Sequence, residues 1–263
     1  MMLFGGLWLS AISWRLYGPS SSINAGIGKK CEFHKTDSSP CQKRHLCYNG
    51  LMKLFSLQVK CPFCGKEFRG QVLSEYHVQR YDLDFKPVFE NGESLLKYFI
   101  WFCPACHYAG YDNRFSYEKN HVELDPGTME KIAQLEKKHP ATLPYKFYRA
   151  GEIGALMGES GVSLMDYYLK AYWSAKEMKK KGWIRKSSKR LLELAELLYQ
   201  EAHESEELFI ALYLSGLISY EKGDTDEAAF HFSRMMRMKM IPTQYEKQLK
   251  FALDFLKGHK NEG

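Results

Sequence analysis

The sequence lacks both a long apolar run and the short motifs of common enzyme families. Residues 1–13 are mostly apolar, but this segment is far shorter than the roughly 20 apolar residues that cross a bilayer, and no Lys or Arg precedes it as in a signal peptide. The His-Glu-x-x-His, Gly-x-Ser-x-Gly, phosphate-loop and dinucleotide-binding motifs are also missing. The sequence therefore predicts no membrane span and offers no motif of a hydrolase or a nucleotide-dependent enzyme.

A strong excess of one charge is missing as well. The formal net charge of the 263 residues is only +6, and 26% of them are charged. Hydrophobic residues make up 45%, which is enough for a buried core and typical of a globular protein. At about 150 residues per domain, this length predicts one or two domains.

The seven cysteines do not indicate a disulfide framework. Their number is odd, and four of them stand in two tight pairs, which favours metal binding in a reducing compartment. We therefore predict a cytoplasmic protein. Cys31, Cys41 and Cys47, with His34 and His45 between them, form a second ligand-rich stretch, but their spacing matches no standard zinc finger.

The two cysteine pairs lie in five-residue segments of the same design, which we call knuckles: Cys61-Pro62-Phe63-Cys64-Gly65 and Cys103-Pro104-Ala105-Cys106-His107. In each knuckle two thiolates stand three positions apart, where a tight turn lets both face one cation. Gly65 supplies the open backbone conformation that often follows the second cysteine. Four thiolates complete the tetrahedral set of a structural zinc site, so we predict that one zinc ion is bound by Cys61, Cys64, Cys103 and Cys106. The 38 residues between Cys64 and Cys103 exceed the usual spacing of about 15 to 20 and predict extra strands between the knuckles.

Two other metal groups fit parts of this pattern. Cys-Pro-x-Cys-Gly knuckles also hold a single iron in rubredoxin-like proteins, because four thiolates suit iron as well as zinc. The run Cys103-x-x-Cys106-His107 matches c-type haem attachment, although haem leaves the Cys61 pair unexplained. A complete set of four thiolates leaves no open position for a catalytic water, which argues against metal-assisted hydrolysis.

The residue pattern changes twice along the chain. Residues 1–51 lack core periodicity, and Met52 begins the first well-patterned segment, so this extension is predicted to be disordered or to result from a misassigned start. Residues 52–126 carry short β-like runs at 55–59, 72–78 and 98–102. Residues 127–263 show helical periodicity, with helices predicted at 127–138, 145–157, 162–181, 187–203, 206–222, 224–239 and 243–258.

We therefore predict an α+β fold, mostly α, in which a small β-rich zinc-ribbon-like module precedes an antiparallel helical array. Gly223 suits a helix C-cap and Asp224 the N-cap of the next helix. The small, turn, small and aromatic positions of a tetratricopeptide unit are occupied by Gly216, Gly223, Ala228 and Phe232, so the array is predicted to be TPR-like. Arrays of this kind offer grooves for protein partners.

One basic run suggests nucleic acid: Lys176, Lys179, Lys180, Lys181, Arg185, Lys186, Lys189 and Arg190, with Trp183 among them. Such a run could contact phosphates with an affinity that falls steeply with salt, but a solvated helix end is the simpler interpretation. Three acidic residues near the module, Asp82, Asp84 and Glu90, have the chemistry of a general acid and base. We interpret them as turn and strand-end residues.

The run from Val59 to Phe115 resembles a bacterial family catalogued as the domain-of-unknown-function 2225 family. The resemblance rests on the first knuckle with Phe68, on Asp82-Leu83-Asp84-Phe85, on Tyr98 before the second knuckle and on Tyr108-Ala109-Gly110 after it. It continues into the helices and covers about residues 52–240. His107 stands where the family usually has Gly, and residues 90–97 lack the expected Asn-Pro. Because the family has no known activity, the resemblance implies an architecture and no reaction.

These patterns predict a cytoplasmic zinc-binding protein without catalytic residues, which binds a protein partner through its helical domain. The first alternative is a zinc-ribbon protein that binds nucleic acid. The second is a rubredoxin-like iron protein with a redox function.

Overall fold

The computed structural model describes residues 46–48, 52–90, 92–117, 121–135, 139–201, 205–239 and 243–261. Most of the predicted extension 1–51, including the side chains of its ligand-rich stretch, lies outside these residues. The chain forms two compact units: the first contains the residues up to Gln79 and 89–141, and the second contains Arg80–Val88 and 142–263. The fold is α+β and mostly α, as predicted.

The first unit contains small antiparallel sheets. Strands β1 (Leu46–Tyr48), β2 (Met52–Lys60) and β3 (Glu67–Glu75) form one sheet in that order. β2 and β3 are a long hairpin that pairs Lys60 with Glu67 nearest the turn. Strand β6 (Trp101–Phe102) pairs with β7 (Ala109–Gly110) in this unit. Strand β4 (Val78–Tyr81) pairs with β5 (Pro87–Phe89), and Arg80–Val88 of this hairpin belong to the second unit.

Two of the three predicted β-like runs differ from the observed strands. The run at 55–59 lies inside β2, but the run at 72–78 is divided between β3 and β4. The run at 98–102 contains only the two residues of β6, after a 3₁₀ turn at Leu96–Tyr98. Burial explains the misleading composition, because the aromatic residues of this region pack around a small core of Leu73, Phe89 and Leu95.

Each predicted helix has an observed counterpart among the described residues: α1 (Pro126–Gln134), α2 (Leu143–Leu156), α3 (Gly161–Glu177), α4 (Lys181–Gln200), α5 (Glu206–Glu221), α6 (Thr225–Met236) and α7 (Glu246–Asn261). Helix α1 belongs to the first unit and the others to the second. Helix α4 begins at Lys181 and not at 187 as predicted. The prediction missed this start because Lys180, the residue before the helix, has no capping side chain.

Several helix starts do carry such a signal. The side chains of Asp125, Ser160, Ser205 and Asp224 each accept a hydrogen bond from a backbone N–H in the first turn of the helix that follows. Gly223 adopts a φ of 83°, which a glycine tolerates at a helix C-terminus. Both predicted caps of this turn are therefore confirmed.

Helices α3 and α5 form the core of the second unit. Nearly every residue from Met165 to Ala175 and from Leu208 to Ser219 is buried, and each consecutive pair from α2 to α7 is in contact. Gly216 allows α5 and α6 to approach closely, because a Cβ atom there would lie 2.5 Å from the Phe232 ring. The predicted small and aromatic pair thus packs together.

The turn at residues 82–86 is part of the second unit. The backbone N–H of Asp82 donates to the carbonyl of Lys86 at 2.9 Å, and Phe85 adopts a φ of 62°. The Phe85 side chain is buried, with its ring 5.3 Å from that of Tyr213 and 5.2 Å from that of Tyr245 between centroids. Phe85 therefore fills the helical core from a turn between two strands.

A charged cluster surrounds this turn. Lys176 Nζ lies 3.4 Å from Asp84 Oδ2 and 2.8 Å from Glu221 Oε1, and the Trp173 indole N–H donates to the Asp84 carbonyl at 3.1 Å. Burial raises the pKa of Asp84, and the neighbouring Lys176 charge opposes that rise. Asp84 thus holds the turn in place through both its backbone and its carboxylate.

We expect Phe85→Ala to lower the free energy of unfolding of the helical unit by about 3–5 kcal/mol, because it leaves a cavity in the core. The backbone conformation costs the same with either side chain, so only packing changes. Urea unfolding followed by far-UV circular dichroism measures the effect. Phe230→Ala is the control, since Phe230 is 52% exposed, and should cost less than about 1 kcal/mol. Equal losses for the two variants would contradict the role given to Phe85.

Candidate metal centre

The two knuckles have the same backbone hydrogen bonds. In the first, Gly65 N–H donates to the Cys61 carbonyl at 2.9 Å, and Cys61 N–H donates to the Lys66 carbonyl at 3.0 Å. In the second, His107 N–H donates to the Cys103 carbonyl at 3.0 Å, and Cys103 N–H donates to the Tyr108 carbonyl at 2.8 Å. The common sequence pattern therefore forms two equivalent tight turns.

The residue after the second cysteine is left-handed in both turns. The φ of Gly65 is 69° and that of His107 is 63°. Glycine adopts this conformation readily, whereas an L side chain costs roughly 1–2 kcal/mol there. His107 adopts this conformation despite its cost, and the second knuckle is as tight as the first.

The four cysteine sulfurs converge on one point. Cys61 Sγ lies 3.5 Å from Cys106 Sγ, Cys64 Sγ lies 3.6 Å from Cys103 Sγ, and all four lie within 4.8 Å of one another. Disulfide sulfurs would be about 2.05 Å apart. Four sulfurs at about 2.3 Å from a central zinc ion stand some 3.8 Å apart at the corners of a tetrahedron, which these distances approach. The donor set fits a metal ion that prefers four soft ligands.

Burial and hydrogen bonding control the chemistry of these thiols. Cys61, Cys103 and Cys106 are buried and Cys64 is exposed. Burial raises the pKa of Cys103 to about 11, while the N–H groups of Cys106 and Ala105 oppose the rise. The hydrogen bond with Cys61 raises the pKa of Cys106, and burial adds to it. As thiols these groups keep their protons at neutral pH, so a bound cation must displace protons from the sulfurs.

Aromatic rings pack beneath the knuckles. The buried Phe115 ring contacts the rings of Phe68, Tyr108 and Trp101 at centroid distances of 5.6, 5.3 and 5.7 Å. The Trp101 indole N–H donates to the Gln71 carbonyl of β3 at 2.8 Å. The backbones of Lys60 and Ser116 exchange hydrogen bonds of 2.8 and 3.1 Å. These contacts tie the end of the β2–β3 hairpin to the second knuckle.

Among the described residues, the acidic and basic candidates from the sequence do not form a second site. Asp82 pairs with Arg80 at 2.9 Å, Asp84 lies against Lys176, and Glu90 is exposed in a turn. Within the basic run, Lys176 contacts two carboxylates, and Lys189 and Arg190 both contact Glu193. The sequence did not reveal the role of Asp84 and Phe85 in the helical core, although their place in a family motif was the available signal.

A scan against protein-family models matches residues 54–253 to a family described as "Uncharacterized protein conserved in bacteria (DUF2225)". The chain belongs to this family. No curated protein and no solved structure matches it. The match includes both knuckles, the turn at 82–86 and the helices from α1 to α6, so the resemblance predicted from the motifs is confirmed.

Among the residues that the structure describes, no helix is long and apolar enough to span a bilayer.

We expect Gly65→Ala to weaken zinc binding about ten-fold, because roughly 1–2 kcal/mol of backbone strain is added where folding and metal binding are coupled. Sterics contribute little, since the nearest atom to an added Cβ is Lys60 Cε at 3.9 Å. Competition titration with a chromogenic chelator measures the affinity. Gly182→Ala is the matched control, because its added Cβ meets open space in α4 and its affinity should be unchanged. Equal affinities for the two variants would show that the left-handed turn is not needed.

Proposed function

We propose that the protein binds one structural zinc ion through Cys61, Cys64, Cys103 and Cys106. The observation that carries this proposal is the convergence of four sulfurs within 4.8 Å, three of them buried. Four thiolates close the coordination sphere, so such a centre stabilises a fold and leaves no position for substrate. The small core of the first unit supports a structural role, because a module of this size gains much of its stability from a bound metal.

Iron is the second metal that this donor set suits, as in rubredoxin-like knuckles. Zinc is favoured because a redox centre needs a route by which electrons reach a partner. In the described knuckles, the exposed Cys64 is the only feature that could provide such a route. Haem is disfavoured, since the sulfurs of Cys103 and Cys106 each contact a sulfur of the first knuckle.

We also propose that the helical unit, as a TPR-like array, binds a protein partner and that the protein is a cytoplasmic adaptor. Support comes from a surface formed by Tyr199 on α4 and by Phe230 and Arg234 on α6. Tyr199 and Phe230 are 40% and 52% exposed, and the Arg234 guanidinium carbon lies 3.2 Å from the Tyr199 ring centroid and 4.9 Å from that of Phe230. Glu196 fixes Arg234 at 3.0 Å. Tyr and Arg held in a defined arrangement are typical of interaction hot spots.

Nucleic acid is the less favoured partner. Carboxylates already contact Lys176, Lys189 and Arg190, which reduces the charge that the basic run offers to phosphates. The exposed part of the run, around Lys179 to Arg185, lies in the turn after α3 and in the first turn of α4.

Elemental analysis with a visible spectrum of the purified full chain tests the metal. We expect about one zinc per chain without colour, and loss of the metal in Cys106→Ser, in which one of the four thiolates is removed. The same variant should melt earlier and be cleaved faster by protease within residues 52–117, because metal binding and folding are coupled. Iron with thiolate charge-transfer bands would contradict the zinc assignment, and unchanged melting of the variant would contradict the structural role.

A photo-crosslinking amino acid at position 230 tests the partner surface in cells. We expect a specific protein adduct that disappears when Tyr199→Ala is added. The control carries the crosslinker at position 250, which is exposed on α7, and should not form this adduct. Equal adducts at both positions would contradict the proposed surface, and an adduct removed by nuclease would favour nucleic acid.

A further inference from the structure

The four candidate ligands are not equally protected. Cys61 and Cys103 are fully buried and Cys106 is 5% exposed, whereas Cys64 is exposed. A solute that reacts with sulfur therefore meets Cys64 first. The other three thiols are buried.

Two sulfur contacts join the knuckles. Cys64 Sγ lies 3.6 Å from Cys103 Sγ, and Cys61 Sγ lies 3.5 Å from Cys106 Sγ. The exposed sulfur therefore has a close neighbour in the other knuckle. Both distances are longer than the sulfur–sulfur bond of a disulfide, but a small movement of the side chains would bring either pair within bonding distance.

We propose that Cys64 is an oxidative modification site at which a peroxide opens the metal centre, with Cys103 as the resolving thiol. This inference rests on the proposed function, in which the four sulfurs hold a zinc ion. In the first step the Cys64 thiolate attacks one peroxide oxygen, so that an S–O bond forms, the O–O bond breaks and hydroxide leaves. The product is a sulfenic acid.

In the second step the Cys103 thiolate attacks the Cys64 sulfur. An S–S bond forms, the S–O bond breaks and a second hydroxide leaves, so the two sulfurs have together given two electrons to the peroxide. Two of the four ligands are then lost to the disulfide. The remaining pair, Cys61 and Cys106, could no longer complete a tetrahedral site and would hold a zinc ion only weakly. A thiol reductant restores both thiolates.

The test uses the full chain with Cys31, Cys41 and Cys47 each replaced by Ser, which removes the competing thiols. The zinc content is measured first, and one equivalent of hydrogen peroxide per chain is then added. We expect release of the bound zinc to a chromogenic chelator, a Cys64–Cys103 disulfide as the first product, and recovery of the metal site after dithiothreitol and zinc.

Peptide mapping identifies the disulfide. Trypsin cleaves after Lys60, Lys66, Lys97 and Arg114, so each knuckle lies on a separate peptide, and fragment ions of the crosslinked pair locate the two sulfurs.

Three results would overturn the inference: retention of zinc and of four reduced thiols in a ten-fold excess of peroxide, first modification at Cys61, Cys103 or Cys106, or disulfides formed within each knuckle. A reduced protein without zinc would instead contradict the proposed function. In that case the order of thiol oxidation, read from the same peptides, still tests the site at Cys64.

Discussion

The first unit depends on one geometric constraint, which is that sulfurs from two distant knuckles must meet at a single point. Between Cys64 and Cys103 lie 38 residues, so the chain has to fold back before the second pair can reach the first. The β2–β3 hairpin, the hydrogen bonds between Lys60 and Ser116 and the packing of Phe115 all serve that meeting. A metal crosslink between the knuckles adds stability to this unit, because metal binding and folding are coupled.

The residues between the knuckles also build the second unit. Residues 80–88 leave the β-unit, and Phe85 and Asp84 are buried among helices α3 and α5 before the chain returns. A buried carboxylate is costly unless it is paired, and here Lys176 and the N–H of Lys86 offset the loss of hydration of Asp84. The negative charge of Glu221, which shares Lys176, acts in the opposite direction. The long segment between the knuckles therefore has a structural role, because its residues Asp84 and Phe85 are part of the helical core.

The metal centre combines protection with one accessible position. Three buried sulfurs keep water and competing ligands away, as a structural site needs, while Cys64 stays in contact with solvent. The same tight turns that aim the sulfurs inward bring the knuckles close enough for sulfurs of different knuckles to touch. Stability and sensitivity to oxidants can thus coexist in one centre, since the first depends on four ligands and the second on the exposure of one.

Local signals allowed much of the fold to be predicted. The positions of the helices follow from apolar periodicity, and several helix starts from Ser or Asp caps that act within one turn. The strands were predicted less well. The aromatic residues at 98–102 indicated a strand, but the strand contains only Trp101 and Phe102 and follows a 3₁₀ turn. The start of α4 was missed since Lys180 provides no capping side chain. The role of Phe85 was missed because its partners, Tyr213 and Tyr245, are more than a hundred residues away in the chain.

By itself the sequence determined which four cysteines can form a centre, because two identical spacings impose two identical turns. It also determined the family, the helical region and the caps around Gly223. Only the tertiary structure decided which sulfur contacts which, that Cys64 alone of the four is exposed, and that His107 must adopt the left-handed conformation of a glycine. The reason is physical: turn chemistry acts over a few residues, whereas burial and distances between knuckles depend on how the whole unit folds.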